Sequence, residues 1–236
     1  MPYGWLAKLR SLLLDLLFPR HCIGCGRPGV YLCSECRASL PYLQPPYCAI
    51  CGRPLFYGRL CLRCQHVPLQ IDGIRGICLY QGIAREAIHQ FKYQGVRELA
   101  EPLGEMLYDY WRSHRLPGTL VVPVPLHPHR LRRRGYNQAS LLAAAFGQRA
   151  GLPVADNLLW RRRDTPSQVE MLDLVMRWQN VQGAFTCSGA SLTGQRILLI
   201  DDVATTGATL EACATALRAG GATSVWALVF ARATGR

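Results

Sequence analysis

A chain of 236 residues, half of them hydrophobic, is long enough for one ordinary domain with its own core plus a small module. A formal net charge of +12 favours polyanionic partners, phosphates or nucleic acid. No apolar run is long enough to span a bilayer, and closely paired cysteines with no secretory signal ahead of them indicate metal in a reducing, cytoplasmic setting rather than disulfides.

Residues 1–19 read as an amphipathic helix. Trp5, Leu6, Leu9, Leu12, Leu13, Leu16 and Leu17 recur at helical spacing, and Pro19 ends the pattern. Such a helix docks on the rest of the protein; a membrane-surface or partner-binding helix is the alternative.

Residues 20–70 read as a double zinc ribbon with two sites of four cysteines each. Cys22 and Cys25 are followed after seven residues by Cys33 and Cys36, and Cys48 and Cys51 after nine residues by Cys61 and Cys64. A Cys-x-x-Cys turn offers two thiolates from one tight knuckle, and zinc needs four in a tetrahedron. The glycines after Cys25 and Cys51 suit that knuckle, so each site pairs one glycine knuckle with the next cysteine pair, although an interleaved pairing also satisfies the spacing. The zincs are expected to be structural. As thiolate sites they would lower the net charge to about +8. Cys78, Cys187 and Cys213 stand apart and read as small buried apolar residues.

Residues 65–72 form a linker, and residues 71–236 the main domain. A strand is predicted at 73–80, an amphipathic helix at 82–93 with Ile83, Ala87, Ile88 and Phe91 on one face, and a further helix at 98–111. Lys92 reads as a solvated lysine at a helix end. A short apolar strand over 120–124 leads into a proline-stiffened loop containing Pro125, Leu126, His127, Arg130, Arg134, Gly135, Asn137 and Gln138. Such a loop can wrap an anion; Arg130 and Arg132 to Arg134 suit a solvated basic surface equally well. A helix follows over 139–151, then a long polar connection from Trp160 to Phe185. Eight arginines against one acid, Asp156, lie between His129 and Arg163. A last buried strand spans 224–230.

The most informative stretch is residues 197–210, ILLIDDVATTGATL. Ile197 to Ile200 show no polar alternation, as in a strand buried on both faces of a parallel sheet. Asp201 and Asp202 fall at the predicted strand end, where open α/β sheets bind ligands. Ala204, Thr205, Thr206, Gly207 and Thr209 make a small-residue turn, and a helix follows from Leu210 to Ala219, stopped by Gly220 and Gly221. A helix N-terminus behind such a turn attracts phosphate, while adjacent carboxylates accept from vicinal hydroxyls or help hold a divalent cation. Together they suggest a phosphorylated ribose as ligand.

This stretch resembles the motif with which type I phosphoribosyltransferases bind 5-phosphoribosyl-1-pyrophosphate (PRPP): an apolar run, Asp-Asp, then Thr-Thr-Gly-x-Thr. The loop VPVPLHPxRxxxRGYNQA and the cysteine module narrow the likeness: the whole chain resembles the ComF (ComFC) family of competence proteins. The resemblance implies an α/β fold, a type I phosphoribosyltransferase-like parallel sheet flanked by helices, with a small N-terminal zinc-ribbon module. It implies a pyrophosphate loop over Pro125 to Gln138, and a flexible closing loop at Arg163, Thr165, Gln168, Arg177 and Asn180. It places Asp201, Asp202, Arg163 and Gln168 nearest the chemistry, with Mg²⁺ accompanying PRPP. It further implies a role in natural transformation, with single-stranded DNA and competence-machinery proteins as partners. The residues leave two readings open: phosphoribosyl transfer with release of pyrophosphate, or a non-catalytic protein that binds single-stranded DNA or a partner and keeps the fold as a nucleotide or phosphate pocket. The residues name no acceptor for the ribose.

Overall fold

A computed structural model describes residues 20–164, 181, 183–189 and 191–234. The helix expected over 1–19, and Thr165, Gln168, Arg177 and Asn180, lie outside the described residues. The chain divides after Leu40 into two compact units.

The first unit holds Cys22, Cys25, Cys33 and Cys36. A short helix, α1 (Ser34–Ala38), starts at the second cysteine pair, where the Cys33 sulfur caps it by accepting from the Cys36 amide at 3.4 Å.

The second unit begins at Pro41 and holds the other four paired cysteines together with the sheet. Helix α2 (Leu62–His66) carries Cys64 and follows Cys61 directly. The sheet is built from β1 (Gly73–Leu79), β2 (Leu120–Pro123), β5 (Arg196–Ala204) and β6 (Ser224–Arg232). Its order is β1-β6-β5-β2, and every pair is parallel. The central position of β5 explains its uninterrupted apolar run: Ile197, Leu198, Leu199 and Ile200 are all 0 % exposed. Strand β5 also runs further than its sequence suggests. Pairing with β6 continues through Asp201↔Val229 to Ala204↔Arg232, so the two acids belong to the strand instead of ending it.

Helices α3 (Gly82–Tyr93), α4 (Ala100–His114), α6 (Gln138–Ala150) and α7 (Ala208–Ala219) bury apolar faces against the sheet or one another. Helices α4 and α6 cross closely: a Cβ on Gly104 would come within 2.6 Å of the Ala145 methyl, so only glycine fits there. Two elements depart from the expectation. Helix α5 (Pro128–Arg134) lies inside the expected loop after β2, with His127 as N-cap, Pro128 in its first turn and Gly135 as a left-handed C-cap at φ 82°. The ends of the polar connection form an antiparallel ribbon, β3 (Leu159–Arg161) with β4 (Phe185–Cys187). Among the described residues no helix is long and apolar enough to cross a membrane.

The second cysteine knuckle is fitted to β1. The Ile74 amide donates to the Ile50 carbonyl at 2.6 Å. Gly52, at φ 65°, lies so close that a Cβ there would approach the Ile74 carbonyl oxygen to 2.4 Å. That glycine serves the turn and the close approach at once.

Candidate functional site

The C-terminal ends of β2 and β5, the N-termini of α5 and α7, the end of α3 and the tip of β3 surround a cleft of about 750 Å³. Ligands of open parallel sheets bind at this edge. Asp201 and Asp202 form part of its floor, and the Asp202 amide donates to Asp201 Oδ1 at 2.8 Å. Burial first, and the Asp202 charge second, push the Asp201 carboxyl up to about 7, against the opposing pull of Lys92.

Lys92 is not the solvated residue that its helix-end position suggested. Its Nζ lies 2.8 Å from Asp202 Oδ1, and Asp202 is 3 % exposed. Burial disfavours the ammonium, yet the charges of Asp202 and Asp201 outweigh it and raise the lysine above its ordinary value. A buried carboxylate needs such a partner, and the last turn of α3 delivers it.

Of the small-residue turn, Thr205 and Thr209 face the cleft. Ala204, Thr206 and Gly207 are buried behind them. Thr206 Oγ1 accepts from the Ala208 amide at 3.2 Å, and Gly207 adopts φ 83° to start α7. The turn therefore divides into residues that face the cleft and residues that set its shape.

The loop after β2 divides likewise. Pro125, Leu126, Arg130, Arg134, Asn137 and Gln138 line the cleft. His127 and Gly135 instead cap the two ends of α5. Asn137 caps α6 with its oxygen, accepting from the Ala139 amide at 3.2 Å, and donates its amide to the Val124 carbonyl at 3.0 Å. Gln138 is 2 % exposed and accepts from Arg134 Nη1 at 2.5 Å. These two side chains are engaged in shaping the loop.

The cleft also takes in residues beyond the acid pair, the threonine turn and the loop after β2. Arg133, Arg161, Asp164 and Tyr93 also line the cleft. Arg163, which was assigned, is exposed and absent from the lining. Strand alternation on β3 sends Arg161 inward and brings Trp160 to the outside; that alternation was the signal available in the sequence. Burial, then the nearby Arg130 charge, lowers the Arg161 guanidinium. Asp164 accepts from Arg130 Nε at 3.1 Å and sits 3.1 Å from His129 Nδ1. Burial acts to raise Asp164, but Arg130 and the two histidines beside it bring it below the usual carboxylate range. Among the described residues, Lys92, Arg130, Arg133, Arg134 and Arg161 thus face three carboxylates, an excess of positive charge along the cleft.

Both cysteine sets fit zinc. Within each set the four sulfurs lie within 4.8 Å of one another, grouped as Cys22, Cys25, Cys33, Cys36 and as Cys48, Cys51, Cys61, Cys64. Zn–S bonds of about 2.3 Å in a tetrahedron put sulfurs about 3.8 Å apart. Cys25 and Cys33, and likewise Cys51 and Cys61, are 3.7 Å apart. Backbone amides donate to Cys22 and Cys48 at 3.3 and 3.4 Å, as thiolate ligands accept. The pairing is sequential, not interleaved.

The parallel sheet, the acid pair and threonine turn at its edge, and the two four-cysteine sets define a phosphoribosyltransferase-like α/β protein with zinc-ribbon elements. The double zinc ribbon domain family matches residues 13–65, and the phosphoribosyl transferase domain family matches residues 131–236. Competence protein F of Haemophilus influenzae is 33 % identical over 86 % of this chain and 90 % of its own length. The DNA utilization protein YhgH of Salmonella typhimurium is 30 % identical over 95 % of each chain, and competence protein ComFC of Bacillus subtilis is 27 % identical over 91 % of this chain and 90 % of its own. The chain belongs to the ComF family of competence proteins.

Proposed function

We propose that the cleft binds PRPP or a closely related phosphorylated ribose together with Mg²⁺. One observation carries this reading: Asp201 and the Thr205–Thr209 turn share a single cleft with five cationic side chains. The turn and the N-terminus of α7 suit a 5′-phosphate. Asp201 suits the ribose hydroxyls, either directly or through the metal, as an acceptor whose charge switches on near neutral pH. Arg130, Arg134 and Arg161 suit a pyrophosphate at the anomeric end. Lys92 holds the Asp202 side chain in place through the ion pair at 2.8 Å.

If pyrophosphate leaves, negative charge grows on it while positive charge grows on the sugar. Arginines held in place beforehand stabilise the first of these charges. Mg²⁺, when bound with PRPP, would supply further neutralisation of the pyrophosphate oxygens. The residues proposed to act are Asp201, Asp202, Arg130, Arg134 and Arg161, with Arg163 and Gln168 assigned by the family resemblance alone, Gln168 lying outside the described residues.

The names of the relatives, competence proteins and DNA utilization proteins, support a role in the uptake or use of DNA. The net charge of +12 supports contact with nucleic acid phosphates.

Titration calorimetry with PRPP and Mg²⁺ tests the reading. Saturable binding that Thr209→Val and Asp201→Asn each weaken at least about tenfold is expected. Absence of binding by the unaltered protein overturns it. Pyrophosphate release from PRPP in the presence of purine and pyrimidine bases, or of amines, then decides between transfer and binding alone.

A further inference from the structure

The carbonyls behind the phosphate turn are held from the second cysteine cluster. Arg63 stands between two of its ligands, Cys61 and Cys64, on α2, and its Nη1 donates to the Thr206 carbonyl at 3.1 Å. Arg232, at the end of β6, is 0 % exposed. Its Nε donates to the carbonyl of the ligand Cys51 at 3.0 Å. Its Nη1 donates to the Ala204 carbonyl at 2.8 Å and to the Thr205 carbonyl. Three consecutive carbonyls, 204 to 206, thus accept from guanidiniums that sit on the cysteine knuckles and do not line the cleft, the Ala204 carbonyl accepting from the Ala233 amide as well.

The direction of those carbonyls matters. A peptide whose carbonyl is pulled backward presents the following N–H forward, and forward N–H groups are what a phosphate needs at a helix N-terminus. The charges agree with the geometry. Four thiolates around one Zn²⁺ carry two net negative charges, and a fully buried guanidinium needs such a counter-charge. Among the described residues Arg232 pairs with no carboxylate, and its Nη2 is buried without a hydrogen-bond partner.

We propose that Arg63 and Arg232 are positioning residues for the phosphate turn, so that metal in the second cysteine cluster is a condition for anion binding in the cleft. Zinc there fixes the knuckle, the knuckle fixes the two guanidiniums, and they orient the turn. This inference rests on the proposed phosphate role of the turn, but its structural part is measurable without any ligand.

Hydrogen–deuterium exchange of the full-length, zinc-loaded protein provides the test, with metal content checked by native mass spectrometry. In Arg63→Gln, both zincs stay bound, exchange of the segment 204–209 rises about tenfold, and the rest of the sheet keeps its protection. Arg63→Lys, which keeps one donor, recovers part of that protection. Cys48→Ser, which removes the second metal, produces the same local loss. Exchange at 204–209 equal to that of the unaltered protein in Arg63→Gln overturns the proposal, whatever Cys48→Ser does to folding. PRPP affinity measured beside it separates the two ideas. Loss of protection with about tenfold weaker PRPP binding upholds both, whereas loss of protection in a protein that never binds PRPP upholds the coupling and overturns the ligand.

Discussion

Lys92 Nζ lies 2.8 Å from Asp202 Oδ1 and joins the last turn of α3 to the central strand of the sheet. The carboxylate is 3 % exposed, so the lysine does more than decorate the surface. Replacing it strands a buried charge. Lys92→Met is expected to cost about 2 kcal/mol in denaturant unfolding, less than a fully buried pair because the lysine keeps some solvent. Lys92→Met combined with Asp202→Asn should recover most of that loss. If the single variant matches the unaltered protein, the pair has no structural role.

Asp201 makes a pH prediction with a definite sign. Its folded value near 7 lies above the ordinary 3.8. A carboxyl raised on folding adds stability that is complete below its unfolded value and is lost as pH rises through the folded one. Asp201→Asn removes that penalty and should raise the melting temperature by about 3 °C at pH of about 8, by about a third as much at pH of about 5, and not at all near pH of about 3. PRPP affinity should behave oppositely. It should tighten between about pH 6 and about pH 8 in the unaltered protein, as the carboxylate forms, and this dependence should vanish in the variant. Scanning calorimetry and binding titrations over the same pH range check both.

Asp164 subtracts from the positive rim of the cleft by holding Arg130 and His129, each at 3.1 Å. These groups are partly exposed, so the effect is modest and screened by salt. Asp164→Asn is expected to tighten PRPP binding about threefold at low ionic strength and to make no difference at about 0.5 M salt. Weaker binding of the variant at low salt would mean that Asp164 positions Arg130 and is not a competitor for it.

The cysteine sets predict metal content. Native mass spectrometry should find two zincs per chain, and Cys36→Ser should remove one while the other remains. The sulfur spacing of 3.7 Å within each set already matches a tetrahedral thiolate site. Two zincs lost together would show that the sets do not bind separately.

Much of the cleft was legible because local chemistry writes it. The apolar run ending in Asp201 and Asp202, and the Thr205–Thr209 turn, announce a strand, an acid pair and a helix start, since each depends on neighbours in sequence. The cysteine spacing announces the knuckles for the same reason. Helix α5 was also written locally, in His127, Pro128 and Gly135, but the pull of an anion-binding loop hid it. Lys92 was not legible. Only the tertiary placement of α3 beside β5 turns a helix-end lysine into the partner of Asp202.

By itself the sequence determined which groups are available: cysteines paired at zinc-ribbon spacing, carboxylates paired near the end of a parallel strand, and small residues that let a helix begin straight after a tight turn. Tertiary structure decided what each group serves. It put Asn137 and Gln138 to work on the loop, drew Arg161 into the cleft, and set the second cysteine knuckle behind the Thr205–Thr209 turn through Arg63 and Arg232. The reason is physical: a side chain's type follows from the chain, but its protonation, partners and direction depend on the groups that distant segments bring within a few ångströms of it.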